Sequence, residues 1–227
     1  MARWIAIPAA MGILGLILTG GPATALTDCE KREGFVSLFD GQTLSGWTVM
    51  GDASWSVQSG MIVCSGQGGG WLRSNNKYRD FILRLDYRIG DGGNSGLFLR
   101  ATEQGNPAFT GLELQILGDH GGPPSKHSTA SVYDAIAPSA NLSRPGGEWN
   151  SYEVIYIGNT LTVLLNGRVV VMADLFDKAL NESLEEERRF WNRAPEGYIG
   201  FQNHGAKVEF RDIRIRPLTL YTPPPNP

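Results

Sequence analysis

A carboxylate and an amide stand two residues apart in the stretch GLELQIL, residues 111–117. Successive side chains of a strand alternate between its two faces, so Glu113 and Gln115 share one face while the leucine and isoleucine side chains between them face a core. Asp119 follows the stretch after one glycine, Gly118. On a solvent-facing sheet these residues would be ordinary surface groups. On the concave face of a sandwich they would line a polar groove.

A second polar set ends a later strand, in GFQNHG at residues 200–205. Alternation places Gln202 and His204 on one face, opposite Phe201. Histidine changes charge near neutral pH, so a histidine at a strand end is either a structural cap or a general base. Both interpretations stay open from the residues alone.

A third candidate set follows the glycine cluster in GDGGNSGLFLR, residues 90–100. The glycines suit a hairpin turn, but alternation also places Asn94, Phe98 and Arg100 on one face of the next strand. Gly96 lies on that same face, where the absence of a side chain would let a ligand approach the backbone. We therefore expect Asn94 and Arg100 to line the groove.

The elements that must position these residues are predicted to be strands. Period-two alternation recurs along the chain, with two-residue hairpin turns at 59–60, 158–159 and 166–167. The predicted strands are 35–39, 55–58, 61–64, 81–89, 95–100, 112–117, 152–157, 161–165, 169–172, 198–201 and 208–216. Many short strands with glycine-rich turns predict an all-β fold, a sandwich of two antiparallel sheets. The charged segment 181–191 predicts one short helical insertion.

Composition excludes several functional classes. The chain has 227 residues and a net charge of -3, and its lysines and arginines form no basic block, so nucleic acid is not an expected partner. The nucleophile elbow and the zinc motifs are absent from the sequence, and the glycines at 68–70 are not followed by the residues of a phosphate-binding loop. Trp71, which follows them, could stack on a sugar ring. A small or neutral ligand is expected.

The two ends of the chain are predicted to lie outside the fold. Residues 1–25 have a charged start, a short apolar core and an A-x-A site, which is the order of a secretory signal peptide. Its cleavage would leave an exported protein, periplasmic or secreted, with no membrane span. Residues 221–227 form a proline-rich tail. Cys29 and Cys64 could form a disulfide in an oxidising compartment or remain unpaired thiols.

Five blocks of the sequence together resemble the 3-keto-disaccharide hydrolase domain family. They are FVSLFDGQTLSGW at 35–47, YRDFILRLDYRIGDGGNSGLFLR at 78–100, GLELQIL at 111–117, PGGEWNSYEVIYIGNTLTVLLNG at 145–167 and GYIGFQNHGAKVEFRDIRIRPL at 197–218. The resemblance implies that residues 26–220 form a concanavalin-like jelly roll in an exported bacterial protein that acts on 3-keto-glycosides. A sugar 3-dehydrogenase upstream, which would form the ketone, is the one partner enzyme considered.

The chemistry that the resemblance implies gives the polar groove a use. A ketone at C3 acidifies the C2 proton, so the glycosidic oxygen can leave C1 by β-elimination before water adds. This requires a base, an acid, and donors for the enolate. His204 or Glu113 would be the base and Asp119 an orienting residue, while the substrate-binding candidates are Asn94, Arg100, Gln115, Gln202 and Trp71. The family's usual QDHG block reads QNHG here, which removes a carboxylate that could orient the histidine or bind a metal.

Two other functions compete with this one. A non-catalytic carbohydrate-binding module would use an aromatic platform, for which Trp71, Trp149 and Trp191 are candidates, and often a structural calcium ion. A structural envelope domain would scatter the polar residues over different outer surfaces. The sequence implies no cofactor with certainty, and a divalent metal such as calcium is the one considered. Clustering of Glu113, Arg100 and His204 within hydrogen-bonding range of one pocket would favour the enzyme.

Overall fold

The computed structural model describes residues 25–218. The predicted signal peptide, apart from Ala25, and the predicted tail lie outside this range. The described chain forms two antiparallel sheets that pack face to face, with short helices in the connections. This confirms the predicted all-β sandwich.

The larger sheet has eight strands, in the spatial order β11-β10-β9-β6-β13-β4-β3, with β1 paired to β13. Its strands are β1 (Val36–Ser37), β3 (Trp55–Gln58), β4 (Met61–Cys64), β6 (Phe81–Ile89), β9 (Trp149–Ile157), β10 (Thr160–Leu165), β11 (Arg168–Asp174) and β13 (Val208–Pro217). The smaller sheet has five strands in the order β2-β5-β12-β7-β8. They are β2 (Trp47–Gly51), β5 (Gly70–Tyr78), β7 (Asn94–Ala101), β8 (Leu112–Leu117) and β12 (Gly197–Asn203).

The core lies between the two sheets and follows from the alternation in the sequence. In β6 every second side chain, from Phe81 to Ile89, is buried. The facing sheet contributes the apolar side of β8 and Phe201 of β12, whose ring stacks on Phe210 of β13 at 4.0 Å between centroids. Because one face of each sheet is used in this way, the polar residues of the smaller sheet point to its outer face.

Residues 25–218 contain three short α-helices: α1 (Asp28–Glu33), α2 (Pro107–Thr110) and α3 (Lys178–Glu182). The predicted helix over 181–191 is broken, because α3 ends at Glu182 and two 3₁₀ turns follow, at Glu186–Arg188 and Phe190–Asn192. Leu184 and Phe190 are both buried but stand six residues apart, so one continuous helix would place them on different faces. Breaking the helix lets both side chains reach the core.

The two cysteines are unpaired, so the disulfide alternative is not the one observed. Cys64 is buried in the core, where desolvation raises the pKa of its thiol, whereas Cys29 is exposed on α1. The N-terminal segment is fastened by charge instead. Glu30 of α1 contacts Arg84 at 3.7 Å and Arg214 at 2.5 Å on the outer face of the larger sheet.

None of the helices within residues 25–218 is long and apolar enough to cross a membrane.

Candidate active site

Three neighbouring strands bring most of the predicted polar residues together on the outer face of the smaller sheet. Strand β7 lies between β8 and β12, and its register pairs Phe98 with Glu113 and Gly96 with Gln115. On the other side of β7, Gly200 of β12 pairs with Phe98. The polar residues that share this face are Asn94 of β7, Glu113 and Gln115 of β8, Gln202 of β12 and His204 just after β12.

Glu113 is the carboxylate at the centre of this face, and it is 3% exposed. Its carboxylate lies over Gly96: a methyl group at that glycine would come within 2.1 Å of Oε1. The glycine therefore makes room for Glu113, which corrects the expectation that a ligand would occupy that space. Burial raises the pKa of Glu113 to about 8, although a hydrogen bond with the Gln202 side chain acts in the opposite direction.

A hydrogen-bonded chain leads from Gln115 to His204. Nε2 of Gln115 donates to Oδ1 of Asn94 at 2.8 Å, and Nδ2 of Asn94 is 3.3 Å from Nδ1 of His204. Because the Asn94 amide presents its nitrogen, Nδ1 of the neutral His204 ring is the acceptor and Nε2 carries the proton. His204 is exposed, so this N–H is available to a ligand.

Two buried oxygens on this face have no hydrogen-bond partner among the described residues, Oε1 of Gln115 and Oε1 of Gln202. A buried acceptor left unpaired costs roughly 1–3 kcal/mol. The backbone oxygen of Gln115 is occupied, since it accepts from the Tyr152 hydroxyl at 2.7 Å. Hydroxyl groups of a ligand, or the protonated form of Glu113, are the donors that these amide oxygens can take.

An apolar cluster adjoins the polar residues and includes Trp71, which is only 6% exposed. Its ring meets Phe98 edge-on at 5.5 Å and covers Gly200, where a methyl group would lie 2.3 Å from the ring. Trp71 is therefore a packed side chain, which corrects its assignment as a sugar-stacking residue. Trp149 lies on the larger sheet between Arg88 and Arg211, so the tryptophans do not form one flat strip.

Arg100 does not reach the groove, which corrects its assignment as a substrate-binding residue. The register between β7 and β12 shifts here, and Arg100 has φ 51°, so alternation fails at this position. Its guanidinium lies 3.4 Å from the centre of the Tyr156 ring and donates to Asp80 at 3.1 Å and to the Gly158 oxygen at 2.7 Å. The residue links the end of β7 to the turns at 79–80 and 158–159.

Asp119 belongs to the loop after β8 and does not orient His204. Its carboxylate accepts from the Thr129 backbone N–H at 2.9 Å and from the Thr129 hydroxyl at 2.6 Å. Asn141 donates to its backbone oxygen at 2.9 Å. These contacts give Asp119 the role of holding the loop against the end of β8.

The same loop supplies residues that the sequence patterns did not reveal. Beside β8, Tyr133 donates its backbone N–H to the backbone carbonyl oxygen of Glu113 at 2.9 Å. Leu114 forms an isolated bridge with Val132. The loop thereby extends the edge of the smaller sheet. The stretch SVYDAI at 131–136 is the only sequence signal for this extension of the sheet. It is too short to show the alternation that predicts a strand.

The donor set for a metal ion is not assembled in the part of the chain that the structure describes. Among residues 25–218, no three histidine, cysteine, aspartate or glutamate side chains converge on one point. Asn203, at the aspartate position of the family block, is buried and donates to the backbone oxygens of Gln67 and Gly68 at 2.9 Å. The amide of Asn203 is therefore engaged by the protein backbone.

Two cavities in the described chain lie away from Glu113 and lack its chemistry. One of about 460 Å³ is lined by Arg88, Asp91 and Lys207, among others, and one of about 570 Å³ by Lys77 and Tyr198, among others. Neither is lined by Glu113 or His204. A carboxyl whose pKa is raised by burial, on the same face as a histidine that contacts Asn94, is the stronger indicator of a catalytic site.

Comparison with known proteins gives consistent matches. A model of the 3-keto-alpha-glucoside-1,2-lyase-like domain matches residues 34–216. The chain is 28% identical to a 3-keto-disaccharide hydrolase of Bacteroides thetaiotaomicron, over 82% of this chain and 79% of that protein. Two crystal structures of candidate glycosyl hydrolases from Parabacteroides distasonis are similar to it. One has a TM-score of 0.75 and 27% identity, covering 87% of this chain and 100% of that one; the other has 0.70 and 23%, covering 81% and 99%.

Proposed function

The chain belongs to the 3-keto-alpha-glucoside-1,2-lyase-like domain family, and on this premise we propose that it cleaves 3-keto-glycosides by elimination followed by hydration. The family match and the hydrolase relative support a carbohydrate hydrolase. The finer proposal concerns the reaction and its residues. It depends above all on one observation, the buried carboxyl of Glu113 beside the chain of hydrogen bonds from Gln115 to His204.

The first step is removal of the proton at C2 of the sugar. The adjacent C3 ketone makes this proton acidic, because the electron pair of the C–H bond moves into an enolate. The ionised carboxylate of Glu113 takes the proton. A base with a pKa of about 8 holds a proton from carbon far better than an ordinary surface glutamate does, yet is still ionised in part near neutral pH.

His204 stabilises the charge that develops on the enolate oxygen. Its Nε2–H donates a hydrogen bond to that oxygen without giving up the proton, because the neutral ring is a donor and its Nδ1 is already occupied by Asn94. The amide oxygens of Gln115 and Gln202 accept from sugar hydroxyls, which satisfies the two unpaired acceptors on this face.

The Glu113 carboxyl group transfers the protons in both the elimination and the hydration. The enolate collapses to form the C1–C2 double bond, the C1–O bond breaks, and the proton held by Glu113 passes to the leaving oxygen, directly or through a water molecule. A water molecule next adds its hydroxyl to C1, and its remaining proton reaches C2 through Glu113. The net change is hydrolysis, with Glu113 returned to its starting state.

The alternatives have less support. A binding module that works through an aromatic strip would need Trp71 and Trp149 on one face, and they lie on different sheets. A structural envelope domain gives no reason for a buried carboxyl, three amides and a histidine to share one face. The proposal includes export, which rests on the sequence of residues 1–25, and a substrate supplied by oxidation of the C3 hydroxyl group of a glycoside.

Cleavage of a 3-keto-glucoside with a chromogenic leaving group tests the proposed function. The substrates are the keto compound and the unoxidised glucoside, and the proteins are the unsubstituted chain, Glu113→Gln and His204→Ala. We expect release from the keto compound alone, abolished by Glu113→Gln and reduced about 10²-fold by His204→Ala. Release from the unoxidised glucoside at a similar rate, or full activity of Glu113→Gln, would contradict the proposal.

A further inference from the structure

We infer that Tyr133, His127 and Asp134 form a binding site for the leaving sugar of a disaccharide substrate, next to Glu113. The inference rests on the proposed function, because it assigns a place to the part of the substrate that departs. The ligand is a neutral pyranose, the sugar whose oxygen is bonded to C1 of the 3-keto sugar and leaves with it when that bond breaks.

Tyr133 is placed beside Glu113 by the edge of the smaller sheet. Its backbone N–H donates to the backbone carbonyl oxygen of Glu113 at 2.9 Å, and the neighbouring residues Leu114 and Val132 form a bridge. Both of these neighbours point into the core. Alternation therefore puts the side chains of Glu113 and Tyr133 together on the outer face, at the separation of a cross-strand pair, roughly 5 Å between Cβ atoms.

The rings of Tyr133 and His127 form a corner, two aromatic surfaces at an angle to each other, that can bind a sugar ring. Their ring centroids are 5.3 Å apart and their planes are inclined at 65°. One ring can therefore serve as a floor for the apolar face of a pyranose while the other forms a wall with a polar edge. Sugar and other small-molecule sites combine aromatic surface with a few placed polar groups in this way.

The His127 ring is held in place by an acidic and a basic side chain. Nε2 of His127 is 3.0 Å from Oδ1 of Asp134, whose Oδ2 is 2.8 Å from a guanidinium nitrogen of Arg188. The hydrogen bond from Arg188 also lowers the pKa of Asp134, so this carboxylate stays ionised. Arg188 in turn lies 4.2 Å from the centre of the Phe109 ring, which packs near Tyr133. Four side chains from three segments, Asp134, Arg188, Phe109 and Tyr133, thus fix the exposed imidazole of His127.

The fixed imidazole keeps one ring nitrogen for a ligand. His127 is 59% exposed, and within the described chain its Nδ1 has no protein partner while Nε2 is used by Asp134. Nδ1 can therefore accept a hydrogen bond from a sugar hydroxyl group. On the other side of Glu113, Phe98 and Trp71 are 2% and 6% exposed and offer no open ring. The side of Tyr133 is where a second sugar finds an aromatic surface.

The test compares two substrates that differ only in the leaving group. One is a 3-keto-disaccharide of glucose and the other is methyl 3-keto-glucoside, cleaved by the unsubstituted protein, His127→Ala, Tyr133→Leu and the control His120→Ala. His120 is also exposed, but its Nδ1 is bound to the Ser143 oxygen in the loop. Thermal unfolding of each variant is measured alongside, so that His127→Ala remains informative if Tyr133→Leu fails to fold.

We expect His127→Ala and Tyr133→Leu to lower kcat/KM for the disaccharide about tenfold, the scale of one hydrogen bond or ring contact, and to change it less than about twofold for the methyl glycoside. The control should leave both values unchanged. Equal loss for both substrates, or loss for neither, would overturn the inference while leaving the proposed function in place. Failure of the unsubstituted protein to cleave either substrate would overturn the proposed function itself, and the leaving-sugar site with it.

Discussion

The carboxylate of Glu113 occupies the place where a side chain at Gly96 would stand, so that a methyl group there would lie 2.1 Å from Oε1. The two residues are on neighbouring strands, and the absence of a side chain on β7 lets the β8 glutamate lie flat over the sheet. That position removes the carboxyl from water and raises its pKa to about 8. One missing side chain is thus linked to the proton affinity of the proposed base.

Gly96→Ala tests this relationship. The added methyl group must displace the Glu113 side chain from Cγ outward, because Cγ, Cδ and Oε1 would all lie within 3.0 Å of it. We expect a folded protein whose kcat falls about 10²-fold, because a displacement near 1 Å at a reacting group has this effect. The control is Gly90→Ala, since a methyl group at Gly90 has open space around it. Equal activity of the two variants would show that the position of Glu113 over Gly96 is not needed.

The pH dependence of kcat/KM should follow the ionisation of Glu113. The proposed base works in its ionised form, and kcat/KM reports the free enzyme. We therefore expect kcat/KM for a 3-keto-glucoside to rise with pH and to level off above about 8. In the Glu113→Asp variant, any residual activity should show a shifted midpoint. A decline of kcat/KM as pH rises through 8 would instead identify the protonated acid as the active form.

Glu113 should also make the folded protein less stable at high pH. Its pKa is raised on folding from 4.5 to about 8, so between these values the native state holds a proton that the unfolded state has lost. Stability is therefore full below pH 4.5 and falls as pH rises towards 8. Glu113→Gln should remove this loss and raise the unfolding free energy at pH 9 by up to a few kcal/mol. Unfolding in urea at pH 5 and pH 9 measures the unfolding free energy of both proteins. If Glu113→Gln and the unsubstituted protein differ in unfolding free energy by the same amount at both pH values, the raised pKa is contradicted.

Asn94 should control the tautomer of His204. Its amide nitrogen faces Nδ1 at 3.3 Å, so nitrogen NMR of the neutral ring should find the proton on Nε2. In Asn94→Asp the new carboxylate can only accept, and the proton should appear on Nδ1. The chain has three histidines, and His120→Ala and His127→Ala assign the other two signals. A proton on Nδ1 in the unsubstituted protein would contradict the assignment of Nε2–H as the donor to the enolate.

The alternation of apolar and polar residues predicted the two sheets and most of the polar residues of the candidate site. The two sheets follow from period-two burial, and parity alone placed Asn94, Glu113, Gln115 and Gln202 on one face, because β7, β8 and β12 are regular where these residues lie. It failed at Arg100, where a shift of register and a positive φ turn the side chain away. A local irregularity of this kind leaves no mark in the spacing of apolar residues.

Packing across strands was the other feature that the sequence could not reveal. Trp71 fills the space above Gly200, which is distant in sequence, so its burial depends on a neighbour that alternation does not identify. Tyr133 reaches the site from a loop that joins the edge of the sheet through a few backbone hydrogen bonds. Both cases depend on contacts between segments rather than on the pattern within one segment.

The central claim is that the bond breaks by proton removal at C2, with Glu113 as the base, and solvent deuterium tests it most directly. The unsubstituted protein and Glu113→Gln cleave a 3-keto-glucoside in D₂O, and NMR follows position C2 of the released sugar, with the 3-keto sugar incubated alone for the same time as control. The account predicts deuterium at C2 at the rate of cleavage, well above the control, and neither cleavage nor exchange with Glu113→Gln. Cleavage that leaves the original hydrogen at C2 would contradict it.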